Sequence, residues 1–154
     1  MKKSLVVGLG NPILSDDGVG NKIAGILKNK VNPDVEVVEA TLAGFNLLEL
    51  LAGYETAVLV DAIQTKGGKA GDIYKLNKDD LAFSQRLASV HDINLYTAWQ
   101  LGEQLGVSLP DKLVIFAIEV EDVLTFSESL TPQVEAAVPE VCELILAELS
   151  NACG

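Results

Sequence analysis

The stretch that most constrains this chain is Ala57-Val58-Leu59-Val60-Asp61-Ala62-Ile63, which runs through four apolar residues before its first polar group. A strand with one face in water alternates apolar and polar side chains, so a run without alternation must be covered on both faces. Strands of that kind belong to parallel sheets, whose crossover connections lay helices over the sheet. Residues 4–8 and 113–118 have the same character, and residues 35–40 read as a further strand. Between these runs, Val19, Ile23, Ala24, Leu27 and Val31 recur at helical spacing until Asn32-Pro33.

The remaining chain extends the alternation. Residues 45–51 form a short helix closed by Gly53, and residues 72–76 alternate like an edge strand after the turn glycines Gly67, Gly68 and Gly71. Residues 78–92 show no period and are expected to be mostly loop. A helix over 93–105 stops at Gly106, and residues 122–130 are a polar loop. Thr131 is placed to cap a last helix that opens at Pro132 and carries Val134, Val138, Val141, Ile145 and Leu149 on one side. The expectation is an α/β three-layer sandwich: a mostly parallel twisted sheet of about five strands, helices on both faces, residues 1–154 forming one domain.

Composition narrows the partners. The 154 residues are 49% hydrophobic and carry a net charge of −11, a surface that repels phosphate backbones and anionic lipid. Nucleic acid and membrane insertion are therefore not expected, and no apolar run approaches the roughly 20 residues of a membrane span. The acids concentrate late: from Glu119 to Glu148 there are eight and no Lys or Arg. A solvated acidic face is the default reading of that run, and a docking surface for a basic partner is the alternative. Cys142 and Cys153 give neither a disulfide framework nor zinc spacing. The first residues lack the apolar core of a signal peptide, because Asn11-Pro12 and Asp16-Asp17 interrupt it. A soluble, cytoplasmic, monomeric protein is expected.

In an open parallel sheet, ligands bind beyond the carboxyl ends of the strands, near the point where strand order reverses. Three polar sites fall there. After the first strand comes Gly8-Leu9-Gly10-Asn11, then Asp16-Asp17-Gly18-Val19-Gly20; Asp61 ends the dry strand; and His91, the sole histidine, precedes a helix. The Gly-x-Gly turn is not a dinucleotide fingerprint, since Ile13 holds the third glycine position and two acids follow where a pyrophosphate would sit. The glycines instead suit turns with positive φ that hold the Asp pair. Asp16 and Asp17 could each simply serve a helix start, and a lone histidine could be structural. Taken together, Asp17, Asp61 and His91 offer two carboxylates and one imidazole, a donor set suited to a borderline divalent ion such as nickel, zinc, cobalt or manganese.

These residues resemble a known family. Gly8-x-Gly10-Asn11, Asp16-Asp17-Gly18-x-Gly20, Thr41-x-Ala43-Gly44, Val60-Asp61-Ala62, Ser89-x-His91 and Leu130-Thr131-Pro132 are similar, in order, to motifs of the hydrogenase maturation endopeptidases. The resemblance covers residues 4 to about 149. It implies removal of a C-terminal extension from the large-subunit precursor of a nickel–iron hydrogenase, after nickel has been inserted. It further implies that Asp17, Asp61 and His91 hold the metal, with nickel supplied by the substrate and other divalent ions able to occupy the same place. Gly8, Gly10, Asn11, Asp16 and Gly18 would form the supporting loop. Some relatives carry Glu in place of Asp17, and some follow the histidine with Gln, where this chain has Asp92 as a candidate to orient His91.

Asp17 and Asp61 are then the catalytic candidates. A bound metal could polarise the scissile carbonyl or activate water, or one carboxylate could act as general base while the metal fixes the substrate. A serine or cysteine triad is not available to a chain with one histidine and two late cysteines. The rival readings are a metal-dependent hydrolase of small molecules, a nickel carrier without activity, and a receiver-like phospho-acceptor module. The last would need a lysine where residues 113–118 run into Glu119.

Overall fold

The computed structural model describes residues 3–41, 45–80 and 95–153. Five strands make one sheet: β1 (Ser4–Leu9), β2 (Val35–Ala40), β3 (Thr56–Ile63), β4 (Ile73–Asn77) and β5 (Lys112–Glu119). Their spatial order is β2-β1-β3-β5-β4, with every pair parallel except β4 against β5. All eight residues of β3 are buried, as a central strand covered on both faces must be.

Alternation along the strands sorts two cores. Val6, Val58, Val60, Val114 and Phe116 face α1 (Val19–Leu27) and α4 (Pro132–Cys153), meeting Ile23, Leu27, Val138 and Ile145. Leu5, Val7, Ala57, Leu59 and Leu113 face the other way, toward α2 (Phe45–Leu51) and α3 (Leu95–Gln104), meeting Leu47, Leu48, Ala98 and Trp99. Helix spacing in the sequence and the period of two in the strands thus select the same two interfaces.

The path of the chain sets where a ligand can bind. From β1 the chain crosses to β2 on one side, and from β2 it returns to β3 on the other side of β1. The reversal lies at the carboxyl ends of β1 and β3, the position that favours a site in open α/β sheets.

Element limits agree closely with the periodicities, and the differences have local causes. The first helix stops at Leu27 rather than running to residue 31, where turn hydrogen bonds such as Lys30 N–H to the Leu27 carbonyl (2.9 Å) take over. Of residues 78–92, Lys78–Asp80 form a short 3-10 turn; the rest, with Ser89, His91 and Asp92, lies outside the described residues, as do Ala43 and Gly44. No helix among the described residues is long and apolar enough to cross a membrane.

The acidic run from Glu119 to Glu148 is not a single solvated face. Glu119 is buried at the end of β5, where it accepts hydrogen bonds from the Thr65 N–H (2.8 Å), the Thr65 hydroxyl and the Tyr74 hydroxyl (3.1 Å). Glu148, on the buried side of α4, pairs with Lys112 (3.0 Å) and with Lys75, tying the helix to β5 and β4. Burial pushes the Glu148 carboxyl up, but the hydrogen bonds and charges of Lys75 and Lys112 outweigh it and hold the group below its ordinary value of 4.5.

Candidate functional site

The first motif forms a closed loop over the sheet's carboxyl end. Gly10 leaves β1 at φ +154°, a conformation that a side chain would oppose, and an added Cβ there would also run into the Asp17 carbonyl. Asn11 then folds the loop back: its side-chain oxygen accepts the Ile13 N–H at 3.2 Å, and its own N–H donates to Asp17 Oδ2 at 3.1 Å. A 3-10 turn over Ser15–Gly18 follows and leads directly into α1.

The glycines therefore divide in role. Gly10 fits the expected positive-φ turn. Gly8 sits inside β1 and Gly18 precedes α1 at φ −84°, so neither is there for positive φ. Close approach explains Gly8: a Cβ there would strike the Gly20 carbonyl and lie 2.7 Å from Ala24 Cβ. Gly20 in turn leaves room for Val60, whose carbonyl oxygen would lie 2.6 Å from an added Cβ. Gly8 and Gly20 let α1 press onto β1 and β3, which draws the Asp16-Asp17 turn against the end of β3.

The two adjacent acids in that turn have separate surroundings. Asp16 is 0% exposed and caps no helix. Its carboxylate accepts the Glu121 N–H (3.0 Å), the Asp122 N–H (3.1 Å), the Thr131 N–H (2.7 Å) and the Thr131 hydroxyl (2.7 Å). It is the anchor of the loop between β5 and α4, and the Thr131 hydroxyl, expected at a helix cap, is directed to it. Backbone bonds reinforce the junction, Ser15 N–H to the Ser127 carbonyl (2.8 Å) and Ser127 N–H to the Ile13 carbonyl (2.9 Å). Ser15 holds φ +51°, a left-handed conformation unusual for serine that this web of bonds enforces. Further along the loop, hydrogen bonds from the Thr125 hydroxyl and from the Leu124 and Thr125 N–H groups lower the Asp122 carboxyl.

Asp17 is 3% exposed and Asp61 7% exposed. The β1–β3 register ends at Gly8 opposite Val60, so Asp61 is the first residue of β3 past its β1 neighbour, and the turn that carries Asp17 lies against β3 there. Asp61 Oδ1 accepts the N–H of Ala62 at 2.8 Å. Since Val60 and Ala62 belong to the α1 face, alternation puts Asp61 on the opposite one. That is the face on which α3 packs through Leu95, Ala98 and Trp99, and α3 begins four residues after His91 in the sequence. Two of the three expected ligand residues thus share the switch point; His91, with its neighbour Asp92, falls outside the described residues.

The chemistry of this rim is that of acids in a poorly solvated place. Two carboxylates with an imidazole suit a borderline divalent ion, while a buried carboxylate without cation or donors would be costly. Cys142 is no rival nucleophile: it is buried in the α1–α4 core, and burial pushes its thiol up. The receiver-like alternative fails at β5, where Glu119, held by Thr65 and Tyr74, stands in place of the required lysine.

Comparison with known proteins decides among the remaining readings. A family model described as hydrogenase maturation protease (HycI) matches residues 21–148. The chain belongs to the hydrogenase maturation protease family. It is 30% identical, over 148 residues, to the hydrogenase 2 maturation protease of Escherichia coli, covering 94% of this chain and 89% of that one. The solved structure of the hydrogenase maturating endopeptidase HybD from E. coli superposes with a TM-score of 0.84 at 28% identity, covering 99% of this chain and 94% of the other. A hydrogenase maturation protease from Thermococcus kodakarensis shares the fold at 23% identity and a TM-score of 0.72, covering 94% and 97%. Hydrogenase maturation proteases process the C-terminus of the hydrogenase large subunit, and this chain is a peptidase of that kind.

Proposed function

We propose that this maturation protease reads nickel in its substrate through Asp17, Asp61 and His91, and cleaves the precursor's C-terminal extension only when that contact forms. The substrate is the large-subunit precursor of a nickel–iron hydrogenase, and nickel arrives with it as cargo; zinc, cobalt or manganese would suit the same donors. The observation that carries this reading is the pair of buried carboxylates at the strand-order reversal, set on neighbouring elements by residues 44 positions apart.

The chain's own residues have distinct tasks in it. Asp17 and Asp61 hold the ion and are the general-base candidates for the attacking water, with the scissile carbonyl brought to them by the anchored nickel. Asn11 fixes Asp17 through its N–H, and Gly8, Gly10 and Gly18 let the loop close over the sheet. Asp16 keeps the neighbouring loop in register, and Asp92 orients His91. The protein acts as a monomer in the cytoplasm, where the precursor receives its metal.

The deciding experiment incubates the protein with nickel-loaded and with nickel-free precursor and follows the precursor by mass spectrometry. The nickel-loaded form is expected to lose its C-terminal peptide and the nickel-free form to stay intact. Equal cleavage of both would contradict nickel reading; cleavage of neither would contradict the substrate assignment.

A further inference from the structure

β2 is the outermost strand at its end of the sheet, and among the described residues no strand pairs with its outer side. Which groups it offers follows from its bonds to β1. The Asp34 carbonyl accepts the Lys3 N–H (2.9 Å) and the Ala40 carbonyl accepts the Gly10 N–H (3.1 Å), so even-numbered residues point their backbone groups at β1. In a strand the N–H and C=O of one residue point the same way and alternate along the chain. Val37 and Glu39 therefore direct an N–H and a C=O each to the open edge.

The open edge continues into a groove of about 450 Å³ whose lining includes Gly10, Pro12, Asn21, Val38, Ala40 and Leu50. Gly10 and Pro12 flank Asn11, whose N–H holds Asp17, so the groove and the proposed metal-reading loop share a wall. Asn21 is more than nine-tenths buried, and its Oδ1 has no hydrogen-bond partner among the described residues. That oxygen packs beside Gly10, 2.7 Å from where a Cβ on Gly10 would lie, so a side chain at Gly10 would close this end of the groove.

We propose that β2 and this groove bind the precursor segment beside the cleaved bond as an added strand, paired through the N–H and C=O groups of Val37 and Glu39. Two rows of edge groups set a strand repeat apart recognise extended polypeptide rather than a compact ligand. A second copy of this chain is disfavoured as the occupant, because Glu36 and Glu39 would confront the same acids across a self-paired edge. The proposal rests on the precursor-processing reading and adds how the peptide is held.

The test uses Glu39→Pro, which deletes an outward N–H and leaves the ladder to β1 intact, against Glu39→Gln, which keeps the N–H. With nickel-loaded precursor, Glu39→Pro is expected to raise KM about tenfold with kcat nearly unchanged, the equivalent of one lost backbone hydrogen bond, and Glu39→Gln to stay within about twofold of the parent. A Glu39→Pro protein that melts like the parent and keeps its KM overturns the proposal. Hydrogen exchange on the unmutated protein covers the case of a variant that fails to fold. The amides of Val37 and Glu39 should become protected when precursor is added, and their continued exchange at the free-protein rate overturns the proposal. If the unmutated protein leaves the precursor uncut, the processing reading has failed on its own; the exchange result still decides whether the edge binds the segment.

Discussion

Asp16 and Asp17 are neighbours in the chain and both hidden from water, yet their surroundings differ. Asp16 looks toward the β5–α4 loop and takes four hydrogen bonds from residues more than one hundred positions away. Asp17 accepts the N–H of Asn11 in the loop that leaves β1, and its turn lies against β3, the strand that carries Asp61. Under the proposed function, this pair of consecutive acids separates architecture from chemistry: Asp16 holds the β5–α4 loop and Asp17 is the metal-reading candidate. Burial alone does not identify a functional acid; the identity of what faces it does.

Substitutions at these positions give the largest expected effects. Asp17→Asn, Asp61→Asn and His91→Ala are each expected to lower precursor processing by more than about 100-fold, beyond what loss of an outer partner of a metal ligand costs. Their melting temperatures should stay within a few degrees of the parent. Full processing by any one of them removes that residue from the site. Asp16→Ala should show the converse, because it strands buried donors that cost about 1–3 kcal/mol each. A stability loss of about 3–5 kcal/mol is expected, read as a fall in melting temperature of roughly 10 °C, with residual processing in the fraction that remains folded. A stable but inactive Asp16→Ala would move Asp16 into the chemistry.

Gly20→Ala sharpens the contrast from the backbone. Its Cβ would press on β1 and β3, which overpacks the contact that seats the turn, at a cost of about 1–3 kcal/mol and with weaker processing besides. Unchanged melting and activity would show that the close approach is not needed.

The smallest effect lies far from the site, at Glu148. Its carboxyl is held below 4.5 in the folded protein, so the stability it contributes is present above that value and fades as the pH falls through the lower, folded value. Glu148→Gln should therefore melt slightly below the parent at neutral pH, and the gap should close in acid well under pH 4.5. A gap that widens on acidification contradicts the pairing with Lys75 and Lys112.

Much of this was legible in one sequence because local patterns carried it. Uninterrupted apolar runs marked β1, β3 and β5 as central strands, and the acid in the β3 run marked the carboxyl end of the sheet as the place to look for a site. Asp61 was visible because a charge after Val58-Leu59-Val60 has no packing reason to be there. The strand order was not legible, since it depends on which side of β1 each crossover takes. Nor was the anchoring role of Asp16, whose partners Glu121, Asp122 and Thr131 lie across the whole domain. Glu119 and Glu148 read as parts of an acidic face because only the fold brings Thr65 and Tyr74 to one and Lys75 and Lys112 to the other. Gly8 showed as a motif glycine, but its reason, contact with Gly20 of α1, exists only once helix and sheet have met.

Nickel reading by Asp17, Asp61 and His91 can be observed by X-ray absorption at the nickel edge of nickel-loaded precursor, frozen rapidly with and without a saturating amount of this protein. The protein is expected to add one imidazole nitrogen and carboxylate oxygens to the nickel coordination, and His91→Ala to remove the imidazole contribution. A nickel spectrum that the unmutated protein leaves unchanged, while the precursor is demonstrably bound, would contradict it.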